Sequence, residues 1–156
     1  MQYAYEIKET AEEGMGMFTL EDIPAGACVW KCIFGGPGAN ATAFNEASCK
    51  HFLASAPTDA VNRFLDVAYG EHHCVVRTWD DSQFVNHSDT PNCGTPQSHL
   101  VERCSTELEL DASGVCNSQH SYALRDIKAG EQLTEDYREY DHPDWFMDLI
   151  IQHQRY

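Results

Sequence analysis

Residues 84–93 read Phe84-Val85-Asn86-His87-Ser88-Asp89-Thr90-Pro91-Asn92-Cys93. Asn86, His87 and Ser88 set hydrogen-bond donors and acceptors side by side. Taken alone, such a tripeptide serves equally as a polar turn. Further along, Ala123-Leu124-Arg125-Asp126-Ile127-Lys128-Ala129-Gly130-Glu131-Gln132-Leu133-Thr134-Glu135-Asp136-Tyr137 reads as strand, turn, strand. On that reading Tyr137 is a core aromatic. Near the start stands Gly14-Met15-Gly16-Met17-Phe18. A lone Gly-x-Gly most often serves a turn. The dinucleotide fingerprint needs a longer glycine pattern opening a helix. A strand-like segment follows here, which speaks against a Rossmann site.

The remaining pattern is many short strands around a helical stretch. Tyr3–Lys8 and Ala27–Phe34 read as strands, with Asp22-Ile23-Pro24-Ala25-Gly26 a tight turn between them. Gly35 to Gly38 breaks the second strand. Phe44, Ala47, Cys49, Phe52 and Leu53 recur near helical spacing. Thr58-Asp59 after Pro57 opens a second helix with Val61, Phe64, Leu65 and Ala68 on one face, ended by Gly70. The helical insert spans about residues 42–69. Cys74 to Trp79 returns to strand. Leu100–Leu110 and Val115–Arg125 read as a strand pair across a turn at 111–114, and Asp126–Gly130 repeats the turn of residues 22–26. Pro143 sits where a first helical residue belongs. Trp145, Phe146, Leu149 and Ile150 then form one apolar face.

The chain has 156 residues, 42% hydrophobic and 11% aromatic, which is room for one domain with a packed core. Twenty-five acidic residues against ten Lys and Arg give a net charge of −15. Phosphate binding runs on clustered cations, so nucleic acid is not the expected partner. A negative surface instead speeds encounter with basic ligands, or simply keeps the chain soluble. The seven cysteines are irregularly spaced with no C-x-x-C pair, which predicts reduced thiols rather than a zinc site. His72-His73 point to opposite faces of a strand and make a poor chelate. The opening residues do not read as a signal peptide, and no apolar run approaches the ~18 residues of a membrane span. The expectation is an intracellular protein, cytoplasmic or nuclear, without a membrane partner.

Together, GMGMFTLEDIPAG, FVNHSDTPNC and ALRDIKAGEQLTEDY resemble, in order and at fitting distances, the SET domain family of lysine methyltransferases. The first is similar to that family's GxG segment, the second to its NHSxxPN segment, the third to its closing strand pair ending in Asp-Tyr. The match covers about residues 3–146. It resembles the small stand-alone members, without the cysteine-rich zinc module, since no Cys follows Cys116.

The resemblance implies a mainly β fold with a small α insert: several short sheets, a knot-like C-terminal threading and a C-terminal helix. That threading would bring residues 86–87 beside 134–137. It also implies S-adenosylmethionine as cofactor, S-adenosylhomocysteine as product, and a basic protein or peptide, such as a histone tail, as substrate. Methyl transfer to an amine is an in-line displacement from a sulfonium. It needs alignment and a neutral amine, not a metal. A free lysine has a pKa near 10.4, and a dry aromatic channel favours its neutral form.

Carried over residue by residue, Tyr137 is the catalytic position, its hydroxyl near sulfonium and amine. Met15 and Gly16 fall against the methionine part of the cofactor, with Gly14 a turn requirement. Asn86 and His87 fall at its methionine end and adenine, and Trp145 falls against the adenine. Phe34, Thr95 and Glu135 fall on the substrate channel. Two departures stand out. Glu135 occupies a place where many relatives have Phe or Tyr, and Gly94-Thr95 stand where others have a channel tyrosine. A carboxylate in the channel would hold an ammonium and oppose transfer; the alternative for Glu135 is a side chain in solvent. These departures leave open a SET-fold binding protein without transferase activity, or a methyltransferase acting on a small amine.

Overall fold

The computed structural model describes residues 1–35, 37–71, 73–95 and 120–153. The strand pair expected over 100–125 lies mostly outside them, as does His72. The chain divides into two compact units, residues 1–40 with 79–137 and residues 41–78 with 138–156.

The first unit opens with β1 (Tyr5–Glu9) and β2 (Met15–Thr19), an antiparallel pair in which Glu9 faces Met15. Gly14 turns the hairpin at φ +74°, a left-handed conformation that suits glycine. β3 (Cys28–Trp30) was expected to run to Phe34 but is shorter. The Asn40 side chain takes its backbone partners instead: Oδ1 accepts from Ile33 N–H and Nδ2 donates to Lys31 O, both at 2.8 Å.

The two similar turns clasp each other. Ile23 and Ile127 exchange backbone hydrogen bonds of 2.8 and 2.9 Å. Asp22 accepts from Ala129 N–H, and Asp126 accepts from Ala25 N–H. Both isoleucines are buried with Met17, Val29, Cys93, Ala123 and Leu133, which form the core of this unit.

The second unit begins with β4 (Ala41–Phe44), so Phe44 belongs to a strand rather than to the helix its spacing suggested. Then come α1 (Glu46–Ser55), capped by the Asn45 side chain on Ser48 N–H, and α2 (Thr58–Val67) after Pro57. β5 (Tyr69–Glu71) and β6 (Cys74–Thr78) complete a sheet ordered β4-β6-β5. The C-terminal helix α3 (Asp144–His153) adds Phe146 and Leu149 to a core of Cys49, Leu53, Val61, Phe64 and Val75.

Gly70 does not end α2. The helix stops at Val67, and Gly70 lies in β5 where the C-terminal segment crosses it. Its N–H donates to His142 Nδ1 at 2.8 Å, and Tyr69 stacks on Tyr140 at 4.7 Å. A Cβ at Gly70 would overlap the Cα of His142 and crowd Asp141 O at 2.8 Å. Backbone cannot move aside as a side-chain tip can. Gly70→Ala is therefore expected to cost about 1–3 kcal/mol of stability, the usual range for overpacking. Urea unfolding of the two proteins measures this, and equal midpoints would remove the crossing as a constraint.

Candidate functional site

In the first unit, β7 (Asn86–His87) and β10 (Thr134–Glu135) pair in parallel, with Asn86 facing Thr134 and His87 facing Glu135. This is the juxtaposition expected of residues 86–87 and 134–137. β8 (Cys93–Gly94) and β9 (Ser121–Ala123) form the sheet β3-β9-β8 beside them.

β7 is aimed by a polar anchor just upstream. Asp80 accepts hydrogen bonds from Trp30 Nε1 and Asn40 Nδ2 at 2.8 Å, and from Ser82 Oγ at 2.6 Å. Burial pushes its carboxyl up, but the bonds from Ser82, Trp30 and Asn40 outweigh burial and hold it below the ordinary carboxylate value. Its bond to Ser82 N–H caps the 3-10 turn Asp81–Phe84, which leads into Val85 and β7. Tyr5 Oη donates to Asp81 Oδ2 at 2.8 Å and ties the same turn to β1.

Asn92 stitches the other side. It is buried; its Nδ2 donates to Gln132 O at 2.8 Å and its Oδ1 accepts Thr134 N–H at 2.9 Å. Asp80 stands outside the motifs of the sequence, and Asn92 reads only as part of one, with no role named.

Most of the expected site residues gather around this pair of strands. Asn86 Nδ2 donates to Met15 O at 3.1 Å, joining β7 to the start of β2. Gly16 is buried, and a Cβ there would meet the Gln132 side chain at 2.8 Å. His87 Nδ1 accepts Tyr137 N–H at 3.1 Å. Tyr137 opens the 3-10 turn Tyr137–Glu139, and its Oη donates to Val85 O at 2.6 Å. Partial burial, with the charges of Glu135 and Glu13, pushes that hydroxyl up to about 12.

Glu135 does not simply point to solvent. It is half-buried and accepts a hydrogen bond from Ser121 Oγ. Its charge and burial both push the buried Cys93 thiol up, burial more strongly. On the neighbouring strand edge, Thr95 is buried and its Oγ1 donates to His120 O at 3.3 Å. Thr95 and Glu135 are thus attached to the adjacent residues His120 and Ser121. Phe34 is buried in the same unit. Trp145 lies on α3 in the second unit, half-buried and edge-on to Phe146 at 6.0 Å; its expected place against adenine rests on the resemblance.

The polar groups suit the expected cofactor in kind. An amino-acid ammonium calls for carbonyl and amide oxygens, which Met15 and Asn86 carry. A sulfonium calls for an electron-rich oxygen, which Tyr137 carries with its proton held in a hydrogen bond to Val85 O. Among the described residues no cluster of His, Cys, Asp or Glu is arranged to hold a metal, and Cys28, Cys49 and Cys93 are free thiols. No helix among them is long and apolar enough to cross a membrane.

The chain is similar to a Plasmodium falciparum candidate histone methyltransferase at 17% identity and a TM-score of 0.52, over 93% of this chain and 99% of that one. It is similar at a TM-score of 0.53 to KRYPTONITE in complex with mCHH DNA, H3(1-15) peptide and SAH, with 16% identity. A KRYPTONITE complex with mCHG DNA and SAH gives the same score at 19% identity. Each KRYPTONITE match covers 88% of this chain and 24% of the other, so the chain spans about a quarter of that protein. No curated protein matches the sequence. At these identities the likeness speaks for the fold. The SET domain family model matches residues 14–138, most of the chain. The chain therefore belongs to the SET domain family.

Proposed function

We propose that this chain transfers methyl groups from S-adenosylmethionine to a lysine side-chain amine in a basic protein segment, a histone tail being the model substrate. The observation that carries the reading is the hold on Tyr137. A parallel strand pair joins the two motif segments, and the Tyr137 hydroxyl is fixed on Val85 O at 2.6 Å. When bound, the cofactor supplies an electrophilic methyl on a sulfonium. Tyr137 presents the lone pairs of a protonated hydroxyl to the reacting groups. Met15, Gly16, Asn86 and His87 hold the cofactor, with Trp145 added on the resemblance. Phe34, Thr95 and Glu135 line the approach of the amine. The net charge of −15 favours a basic segment as partner and disfavours direct nucleic-acid binding.

Glu135 favours one second reading, a small amine as the acceptor, because its carboxylate stands two residues before Tyr137 and is held by Ser121. Incubation with methyl-labelled cofactor separates the two. Label in lysine residues of a histone mixture or lysate supports the protein substrate, whereas label only in added small amines supports the other. Calorimetry is expected to show S-adenosylhomocysteine binding to the chain. No heat and no thermal shift at millimolar ligand would remove both transferase readings.

A further inference from the structure

Glu13 directly precedes the Gly14-Met15-Gly16 segment, on the loop that joins β1 to β2. It is exposed, yet its place is fixed. Thr10 N–H donates to Gly14 O at 2.6 Å, and Thr10 Oγ1 accepts Glu13 N–H at 2.9 Å. These two bonds and the left-handed Gly14 lock the loop. The carboxylate is then caught from a distant part of the chain. Gln132 Nε2 donates to Glu13 Oε2 at 3.3 Å. That same nitrogen lies 2.8 Å from the place a Cβ on Gly16 would take. The Glu13 side chain is therefore folded back along the hairpin to the flank of Gly16. Gln132 is itself placed by its backbone, which bridges to Phe18 and accepts Asn92 Nδ2 at 2.8 Å.

The charge on Glu13 also reaches the transfer hydroxyl. Burial raises the Tyr137 hydroxyl most, Glu135 adds to that, and Glu13 adds again. Glu135 is tied to Ser121 on the strand side. Glu13 acts from the hairpin, the side of Met15. The hairpin's one cation, Lys8, is turned to Glu6 at 2.7 Å and lies over the Phe18 ring at 4.1 Å.

We propose that Glu13 is a cofactor-site residue whose carboxylate, held by Gln132 beside Gly16, pairs with the α-ammonium on the methionine part of the cofactor. Met15 O and the Asn86 amide offer that ammonium only partial negative charge. A carboxylate two residues before Met15 supplies the full counter-charge, and a hydrogen bond between charged groups is roughly twice as strong as a neutral one. Its sign also tells the ammonium from the carboxylate at the same end of the ligand, and so fixes which way round that end lies. This rests on reading Met15, Gly16 and Asn86 as the hold on the methionine part.

The test is binding to the full chain, read by calorimetry, with no turnover required. The probes are S-adenosylhomocysteine and 5′-methylthioadenosine, which keeps the adenosine and the thioether but lacks the amino-acid end. Glu13→Gln keeps the shape and the acceptor for Gln132 and removes only the charge. It is expected to weaken S-adenosylhomocysteine about two- to fivefold, the range of one exposed ion pair. Methylthioadenosine is expected to bind both proteins equally. Glu13→Lys reverses the sign and is expected to weaken S-adenosylhomocysteine further. Because residue 13 is exposed, thermal unfolding of both variants is expected to match wild type. Equal S-adenosylhomocysteine affinity in wild type and Glu13→Gln overturns the proposal, with the cofactor reading left standing. A matching loss for methylthioadenosine overturns it as well, since the effect would then not lie at the amino-acid end. A wild type that binds neither probe removes the cofactor reading, and this assignment with it.

Discussion

Tyr137→Phe is expected to lower the rate of methyl transfer about 10²–10³-fold while the fold and cofactor binding persist. Phe keeps the ring that packs 5.5 Å from His87, and the backbone bond from residue 137 to Nδ1 is untouched. Only the hydroxyl and its bond to Val85 O disappear. Since its pKa is pushed up to about 12, the hydroxyl keeps its proton at any working pH. It donates a hydrogen bond to Val85 O and offers lone pairs to the reacting groups. Magnitudes separate this role from a mere anchor. A neutral hydrogen bond contributes about 0.5–1.5 kcal/mol to stability. Loss of an oriented group that acts in the transition state costs about 2.7–4 kcal/mol in turnover. The measurement pairs thermal unfolding with single-turnover transfer to a validated substrate. A small loss of stability beside a large loss of rate is the expected result. An unchanged rate would take Tyr137 out of the chemistry and shift the weight to a binding protein on the SET fold.

The sequence made the closing strands legible because their signals are local. The repeated turn at residues 22–26 and 126–130 is visible as Asp-Ile-x-Ala-Gly, and the two copies do meet through Ile23 and Ile127. Pro57 and Pro143 marked helix starts correctly, since a fixed φ and a missing N–H suit that position. What stayed hidden was every element set by one side chain reaching distant backbone. Asn40 cuts β3 short, Asp80 collects Trp30, Asn40 and Ser82, and Ser121 fixes the Glu135 carboxylate. None of these leaves a period or a motif behind. Gly70 shows the same limit from the other side. A glycine after an apolar helix face reads as a stop signal, yet here it makes room for His142, seventy-two positions away. For the site, the resemblance supplied the residues, and the strand register explains how Asn86, His87 and Tyr137 come together. It did not supply the acceptor role of His87 Nδ1 or the stitch made by Asn92.

That stitch carries the largest expected effect on stability. Asn92 is buried between two backbone groups of one strand segment, accepting from Thr134 N–H and donating to Gln132 O. Only one orientation of the amide satisfies both, so its oxygen and nitrogen are fixed by the partners. Asn92→Leu fills similar space but removes the partner of Gln132 O and leaves Thr134 N–H only the Cys93 thiol. The loss of such a partner costs about 1–3 kcal/mol, a large share of the stability of a marginal domain. Because the lost partners flank β10, the parallel pair with β7 loosens and Tyr137 with it. Asn92→Asp gives a sharper test. The carboxylate still accepts from Thr134 N–H, but it sets a second acceptor against Gln132 O in a buried place. Burial and that carbonyl both favour the protonated acid, so the carboxyl has a higher pKa folded than unfolded. The protonated acid can donate to Gln132 O as the amide does. The variant is therefore closest to wild type below the unfolded value of about 3.9 and falls away as pH rises through the folded value. Urea unfolding of both proteins at several pH values reads the difference directly. The gap between Asn92→Asp and wild type is expected to widen from acid to neutral pH, whereas Asn92→Leu shows a gap that does not depend on pH. A pH-independent gap in the Asp variant, or a Leu variant as stable as wild type, would mean that Asn92 does not hold the strand that carries Tyr137.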